Sequence, residues 1–314
     1  MSLPGCRDTA PVNFLPASFP ALCLTLALVL QACGPDPLQG RVVLSGSSTL
    51  APLATAAMTG WSKLHPQVDA RVEAIGSDAG MERLIRYGDA DFALVSRSVN
   101  TEDYEAARSV GKELVVLPLA WDAVCLVVPM SNTWVSSLTP EQIVQAFTTA
   151  KLWSDLDSSW PPIPIYRFAL GPNSGTADVF AASLFHSDKT PLFSAPGVQS
   201  SEDAQILARG VAEVPGALGY LGWTSFRQRD PTLKILTFDG VAPSAESIRN
   251  RTYPMPRHLW LVTTKQDLAN PAERSMARYL FEHSRSLAVD SGLVPLTDEE
   301  RAAAGATLDL VVGR

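Results

Sequence analysis

RVVLSGSSTLAPLATAAMTGWSKLHPQVDARVEAI, residues 41–75, decides the fold class of this chain. Two short runs rich in β-branched residues flank a longer segment whose apolar residues recur at helical spacing. The pattern predicts a strand over 41–46, a helix over 48–64 and a strand over 68–75. A strand, a helix and a strand in this order predict a parallel βαβ unit.

The same alternation continues along the chain. Helices are predicted at 79–87, 101–109, 176–185 and 202–209, and strands at 91–96, 113–119, 123–129, 162–168 and 216–223. A further helix begins at Thr139 as N-cap, with Pro140 in its first position. The chain is therefore predicted to be an α/β protein, with mainly parallel sheets flanked by helices.

The start of the chain predicts export from the cytoplasm. The apolar run 21–30 has the length of a secretory signal, and LQAC (30–33) resembles the lipobox of bacterial lipoproteins. Residues 1–32 are expected to be removed, Cys33 to be lipidated, and 33–40 to form a tether. An ordinary secretory signal with an incidental cysteine is the alternative. Once the leader is gone and Cys33 is acylated, Cys125 has no disulfide partner.

Composition argues against several classes of function. The net charge of −7 disfavours nucleic-acid binding, which depends on basic surface. The four histidines show no metal-ligand spacing, so no metal or cofactor is expected. GPNSG (171–175) is not a nucleophile elbow, because its serine stands one place too late, and no catalytic residues are predicted.

Serine and glycine recur wherever a predicted strand gives way to a helix. The four stretches are SGSSTLAPL (45–53), IGSDAGMERL (75–84), VSRSVNTED (95–103) and GPNSGTADVF (171–180). In an open parallel sheet these places share one edge, where helix N-termini and hydroxyl groups can surround an anion. The alternative is four independent helix caps.

In this order and spacing, these stretches resemble the periplasmic phosphate-binding proteins of the phosphate ABC transporter. The resemblance is strengthened by PLAWDAVCLVV (118–128), SSLTPEQIVQAF (136–147) and GALGYLGW (216–223). It implies a two-lobed periplasmic-binding-protein fold of type II, with two crossover strands, that closes on a dehydrated oxyanion. Lobe 1 would contain 41–126 and 226–314, and lobe 2 would contain 130–220.

The resemblance also implies the anion contacts. They fall on Thr49 and Leu50, the latter through its backbone N–H, on Ser77, and on the triplet Ser174, Gly175 and Thr176. Ser48 and Ser96 belong to the same loops and are included as candidates.

The chain departs from the family pattern in its arginines. Family members commonly carry an arginine four residues before the triplet serine, where this chain has Leu170. Arg97 and Arg167 are the candidates to replace it, since a guanidinium fork suits a tetrahedral oxyanion. Arg97 could instead pair with a carboxylate such as Asp122.

Near neutral pH phosphate carries a proton and sulfate carries none. An acidic side chain that accepts a hydrogen bond from this proton would therefore favour phosphate over sulfate. Asp78 and Asp122 are the candidates, although Asp78 could simply cap its helix. The predicted function is phosphate binding by a monomer that delivers the anion to an ABC permease from the periplasm or cell surface. The alternatives are binding of sulfate, molybdate, tungstate or arsenate, and a lipid-anchored anion sensor or scaffold that does not transport.

Overall fold

A computed structural model describes residues 38–227 and 232–312. The predicted leader, Cys33 and most of the tether lie outside the described residues. Within the described residues, no helix combines the length and apolar character needed to cross a membrane.

Short runs that are mostly apolar form most of the strands. Their bounds are β1 Gly40–Gly46, β2 Val68–Ala74, β3 Phe92–Val95, β4 Leu114–Pro129, β5 Ser137–Leu138, β6 Tyr166–Leu170, β7 Gln199–Ser201, β8 Ala217–Gly222, β9 Leu233–Ile235, β10 Thr237–Phe238, β11 Pro256–Thr264 and β12 Val294–Pro295.

The helices alternate with these strands. Their bounds are α1 Ala51–Leu64, α2 Ser77–Glu82, α3 Thr101–Ser109, α4 Pro140–Phe147, α5 Gly175–Leu184, α6 Thr190–Ser194, α7 Ala204–Glu213, α8 Trp223–Arg227, α9 Ala245–Arg249, α10 Pro271–Glu282, α11 Ser284–Asp290 and α12 Asp298–Val312. The predicted start of α4 is confirmed, because Thr139 accepts a hydrogen bond from Gln142 N in a capping box. The helix predicted at 79–87 begins two residues earlier and continues from α2 into one π-helical turn, Arg83–Tyr87.

The main sheet joins two parallel groups of strands. Its order is β2-β1-β3-β11-β4-β8-β6-β7, and β1 pairs in parallel with β2 and β3, while β6 pairs in parallel with β7 and β8. The pairs β3–β11, β11–β4 and β4–β8 between the two groups are antiparallel. The α/β prediction is confirmed, and the sheet as a whole is mixed.

β4 is one continuous strand where the sequence predicted two. Its first part pairs with β11 up to Ala123, and its last part pairs with β8 and β9. The first predicted strand, 113–119, ended just after Pro118, and there the register against β11 shifts between Leu259 and Trp260, which pair with Ala120 and Pro118. Such a bulge accommodates a proline without ending the strand.

Hydrophobic residues pack into two large cores on either side of this junction. One contains Leu44, Trp61 and Leu261, and the other contains Phe147, Phe168 and Tyr220. β4 takes the chain from the first core to the second, and the start of β11 brings it back. These two strands are therefore the crossovers of the two-lobed fold.

The lobe limits given in the sequence analysis stay a prediction. The second core also includes Leu233, Phe238 and Tyr253. Core membership therefore groups 233–255 with lobe 2 and favours a return to lobe 1 near 256 rather than 226.

Candidate functional site

Polar side chains from both halves of the fold meet in the protein interior. They follow β1, β2, β3 and β6, at the carboxyl ends of the strands, as the sequence pattern predicted. Five of the predicted hydroxyl residues are almost fully removed from solvent, namely Thr49, Ser77, Ser96, Ser174 and Thr176. These five residues are called the hydroxyl cluster below.

Two serines of the first half lie directly against the helix start of the second half. Ser77 Oγ lies 3.1 Å from Ser96 Oγ and also accepts the Ser96 backbone N–H at 3.1 Å. A Cβ atom on Gly175 would lie 2.7 Å from each of these two oxygens. The backbone of α5 therefore approaches the serines closely only because residue 175 is glycine.

Arg257 holds the hydroxyl cluster together, although no sequence motif indicated this residue. Its Nη1 donates to Thr176 Oγ1 at 2.7 Å and to the Ser96 carbonyl at 3.2 Å, and its Nη2 donates to Thr49 Oγ1 at 3.2 Å. Its Nε and Nη2 both donate to Asp122 Oδ2, at 3.2 and 2.7 Å. These bonds use all five guanidinium N–H groups.

Asp122 is equally well satisfied. Besides the bonds from Arg257 to Oδ2, its Oδ1 accepts from Thr224 N at 3.1 Å and from Thr224 Oγ1 at 3.0 Å. The carboxylate is fully buried, and these four hydrogen bonds offset the cost of removing its oxygens from water. The alternative interpretation of Arg97 gave it Asp122 as a structural partner; in the structure the partner of Asp122 is Arg257.

Hydroxyl oxygens of the cluster accept hydrogen bonds from protein groups, so their O–H protons stay available to donate to a ligand. Thr49 and Thr176 accept from Arg257, and Ser174 Oγ accepts from Thr176 N at 3.2 Å, which makes Ser174 the N-cap of α5. A hydroxyl group has one proton to donate and two lone pairs. Capping by Ser174 is therefore compatible with donation of its O–H to an anion.

Arg97 and Asp78 lie at the edge of this region. Arg97 Nε donates to Asp78 Oδ1 at 2.8 Å, and its Nη1 and Nη2 donate to Asp103 at 2.6 and 3.0 Å. Burial opposes the charged form of Arg97, but the hydrogen bonds and charges of Asp103 and Asp78 outweigh it and raise the pKa of Arg97. The guanidinium of Arg97 is therefore hydrogen-bonded to the carboxylates of Asp78 and Asp103.

Arg167 lies elsewhere, which corrects its candidacy as a ligand contact. Its guanidinium donates to the carbonyl oxygens of Ala146 at 2.7 Å, of Pro196 at 3.2 Å, and of Ala150. The strand predicted at 162–168 placed Arg167 near its end, but β6 begins at Tyr166. Arg167 is thus at the opposite end of β6 from Ser174.

Ser48 and Leu50 flank Thr49 in different environments. Leu50 is fully buried at the start of α1 and can offer only its backbone. Ser48 is half-buried and lines a groove of about 550 Å³ that Glu202 and Asp203 line from the other half.

Glu202 braces the loop that carries Ser174. Its Oε1 accepts the Asn173 N–H at 3.0 Å, and the Asn173 carbonyl in turn accepts the Asp78 N–H across the cleft at 3.4 Å. Burial raises the pKa of the Glu202 carboxyl, and the nearby charge of Asp78 adds to this shift.

The missed residues left one signal in the sequence. Arg257 stands in YPMPRHLW (253–260), where a cation is embedded in an otherwise apolar strand. A buried cation needs a partner, but nothing in the sequence identified Asp122 as that partner. Within the described residues, no group of three or more His, Cys, Asp or Glu side chains could hold a metal ion.

Comparison with known proteins defines the class. A family model described as the PBP superfamily domain matches residues 32–281, so the chain belongs to the PBP superfamily. Among its relatives, Protein SphX of Synechocystis sp. is 30% identical over 287 residues, covering 87% of this chain and 84% of that protein. The phosphate-binding protein PstS of Staphylococcus haemolyticus is 26% identical and covers 86% of this chain and 89% of its own length.

Solved structures share the fold. A putative phosphate ABC transporter substrate-binding protein with bound phosphate from Clostridium perfringens gives a TM-score of 0.70 at 22% identity, over 82% of this chain and 100% of that one. A possible phosphate-binding protein from Planctomyces limnophilus gives 0.65 at 23% identity, over 88% and 99%. The two-lobed periplasmic-binding-protein fold implied by the sequence is confirmed.

Proposed function

We propose that the hydroxyl cluster binds inorganic phosphate between the two lobes. The observation that carries this proposal is the burial of five hydroxyl residues from both halves around the starts of α1, α2 and α5. Hydroxyl protons and helix N-terminal N–H groups together suit a tetrahedral oxyanion. The names of the PstS relative and of the solved structures support phosphate among such anions.

The positive charge of Arg257 acts through other groups. Its donors are used by Asp122, Ser96, Thr49 and Thr176, so it orients and polarises the hydroxyls that would face the anion. Because Thr49 and Thr176 come from different lobes, closure completes this arrangement. Ligand binding would thereby become a change of shape.

This change of shape supports a role in delivery to an ABC permease, with no catalytic step. A lipid-anchored sensor would use the same cleft to report the anion to another partner. Reconstitution with a phosphate permease and its ATPase distinguishes the two roles. A transport component stimulates anion-dependent ATP hydrolysis, and a sensor does not.

Isothermal titration of protein stripped of bound anion tests the ligand. We expect tight one-to-one binding of phosphate, compared in the same way with sulfate, arsenate, molybdate and tungstate. A stronger response to one of the other anions would reassign the ligand. The absence of binding to every tetrahedral anion would refute the proposal.

We also propose that Cys33 is the lipidated first residue of the mature protein, placed at the periplasmic or cell-surface side of a membrane. The support is LQAC directly behind an apolar run. Mass spectrometry of protein extracted from membranes should find an acyl group on Cys33, and Cys33→Ser should release the protein from the membrane. A mature chain that begins at another residue would refute the anchor.

A further inference from the structure

Four charged side chains face one another at one mouth of the cleft. Asp78 and Arg97 belong to the first half, while Asp178 lies on α5 and Lys189 directly precedes α6 in the second half. They are called the mouth network below. The sequence pattern gave no indication of Asp178 or Lys189.

Each half contributes an ion pair of its own to the mouth network. Arg97 lies 2.8 Å from Asp78, and Lys189 Nζ lies 2.7 Å from Asp178 Oδ1. Lys189 Nζ also donates to the Pro172 carbonyl at 2.6 Å, in the loop that leads to Ser174. The first half therefore presents the cation of Arg97 beside the carboxylates of Asp78 and Asp103, and the second half presents the cation of Lys189 beside Asp178.

Two further pairs connect the halves. Arg97 Nε lies 3.5 Å from Asp178 Oδ2, and Lys189 Nζ lies 3.9 Å from Asp78 Oδ2. Charges of opposite sign thus alternate around the mouth, so each cation attracts the carboxylate of the other half. Opening the cleft would separate both cross pairs.

The mouth network adjoins the hydroxyl cluster along the chain. Asp78 follows Ser77 in sequence, Arg97 follows Ser96, and Asp178 comes two residues after Thr176. A groove of about 600 Å³ is lined by the four charged residues of the mouth network, by the further acidic residues Glu102 and Asp103, and by Asn100 and Ser187. An anion that leaves through this groove must pass between the paired charges.

The ion pairs between the halves are buried enough to contribute to the stability of the closed cleft. The side chain of Arg97 is 12% exposed and that of Asp178 is 21% exposed. Ion pairs that are fully exposed contribute little, because water and salt screen them. Partial burial weakens that screening here.

We propose that Asp178 and Lys189 are positioning residues that hold the cleft closed by pairing with Arg97 and Asp78, and so determine how long the anion stays bound. The effect on closure follows from the contacts alone. The effect on the residence time of the anion rests on the proposed function.

Small-angle scattering of the anion-stripped protein tests closure without any ligand. At low salt, Lys189→Met and Asp178→Asn should each increase the radius of gyration relative to wild type. The difference should vanish at about 1 M NaCl, where the Debye length is about 3 Å. Lys265→Met is the matched control, because Lys265 pairs with Glu113 at an exposed site outside the cleft, and it should scatter like wild type.

Stopped-flow release of phosphate into an excess of a phosphate trap tests retention. Both variants should release the anion about tenfold faster at low salt, with a nearly unchanged association rate, since the hydroxyl cluster is intact. A wild-type radius of gyration in both variants would refute the role of the mouth network in closure. A larger radius of gyration without faster release of phosphate would refute its role in retaining the anion. If no anion binds at all, the proposed function is refuted, while the scattering measurements still show whether the mouth network holds the cleft closed.

Discussion

Arg257 and Asp122 stand opposite each other in register on β11 and β4, with Arg257 Nη2 2.7 Å from Asp122 Oδ2. These are the two strands through which the chain passes between its hydrophobic cores. A Cβ on Gly222 of β8 would lie 2.8 Å from Asp122 Oδ2 and 3.0 Å from Arg257 Nη2, so the third strand at this point is also fitted to the pair. The ion pair lies on the two crossover strands, and Arg257 donates hydrogen bonds to Thr49 on one side and to Thr176 on the other.

Replacement of Arg257 by lysine should therefore weaken anion binding. Lysine keeps the charge but cannot supply five N–H groups in a planar fork. Arg257→Lys should lose at least about tenfold in affinity, roughly 1.4 kcal/mol, measured by isothermal titration.

Arg167→Lys is the control for this change, because Arg167 is also buried but donates to backbone carbonyls away from the hydroxyl cluster. It should lower the melting temperature and leave the affinity of the folded protein unchanged. Equal affinity losses in the two variants would mean that buried arginines act only through stability.

The Ser174–Thr176 segment should act both as a helix cap and as an anion clamp. Ser174→Ala with Thr176→Val removes two hydroxyl donors, and hydrogen bonds to charged groups contribute about 1.5–3 kcal/mol each. We expect anion binding to weaken by at least about a hundredfold, roughly 2.7 kcal/mol. The loss of the cap alone should cost about 0.5–2 kcal/mol of stability.

Ser244→Ala separates the two effects, because Ser244 caps α9 by accepting from Ser247 N and lies outside the hydroxyl cluster. It should reduce stability with unchanged affinity. If the Ser174 and Thr176 double variant behaved in the same way, the segment would be only a helix start.

Selectivity for a protonated anion should depend on an acidic side chain. We expect Asp78→Asn or Asp122→Asn to narrow the gap between phosphate and sulfate affinities by more than about tenfold, roughly 1.4 kcal/mol. The ratio is the informative quantity, because Asp122 also holds Arg257 and its loss should weaken both anions. Unchanged ratios in both variants would assign selectivity to other groups.

Glu273 should make stability depend on pH. Its side chain is 5% exposed on α10, and although Asn270 donates to Oε1, Oε2 finds no hydrogen-bond partner among the described residues. Burial raises the pKa of the Glu273 carboxyl to about 7, and the charges of Asp91 and Asp267 act in the same direction.

Because the folded-state pKa is raised, the neutral form contributes stability that is fully present below about pH 4.5 and is lost as the pH rises to about 7. Above pH 7, Glu273→Gln should therefore be more stable than wild type by an amount on the order of 3 kcal/mol, and at pH 4 the two should be alike. Urea unfolding across this range measures it. Glu282→Gln, exposed on the same helix, should follow wild type at every pH; a constant difference for Glu273→Gln would contradict the raised pKa.

The sequence alone determined the α/β class and the places where the chain turns from strand to helix. Hydrophobic periodicity and local capping chemistry carry this information, as the start of α4 at Thr139 shows. The four Ser/Gly-rich stretches also indicated an anion site at one sheet edge, since parallel strands bring their carboxyl ends together whatever the detailed packing. The resemblance to the family then selected Thr49, Ser77, Ser174 and Thr176 within those stretches.

The tertiary structure decided which charges meet. Asp122 and Arg257 are 135 residues apart in sequence, and their pairing depends on the register of β4 against β11, which no local pattern encodes. The same holds for Arg97, whose carboxylate partners are Asp78, Asp103 and Asp178 rather than Asp122, and for Arg167, whose role changed when β6 began four residues later than predicted. Helix starts follow from neighbouring residues, but the partner of a buried charge follows from which strands the whole fold places side by side.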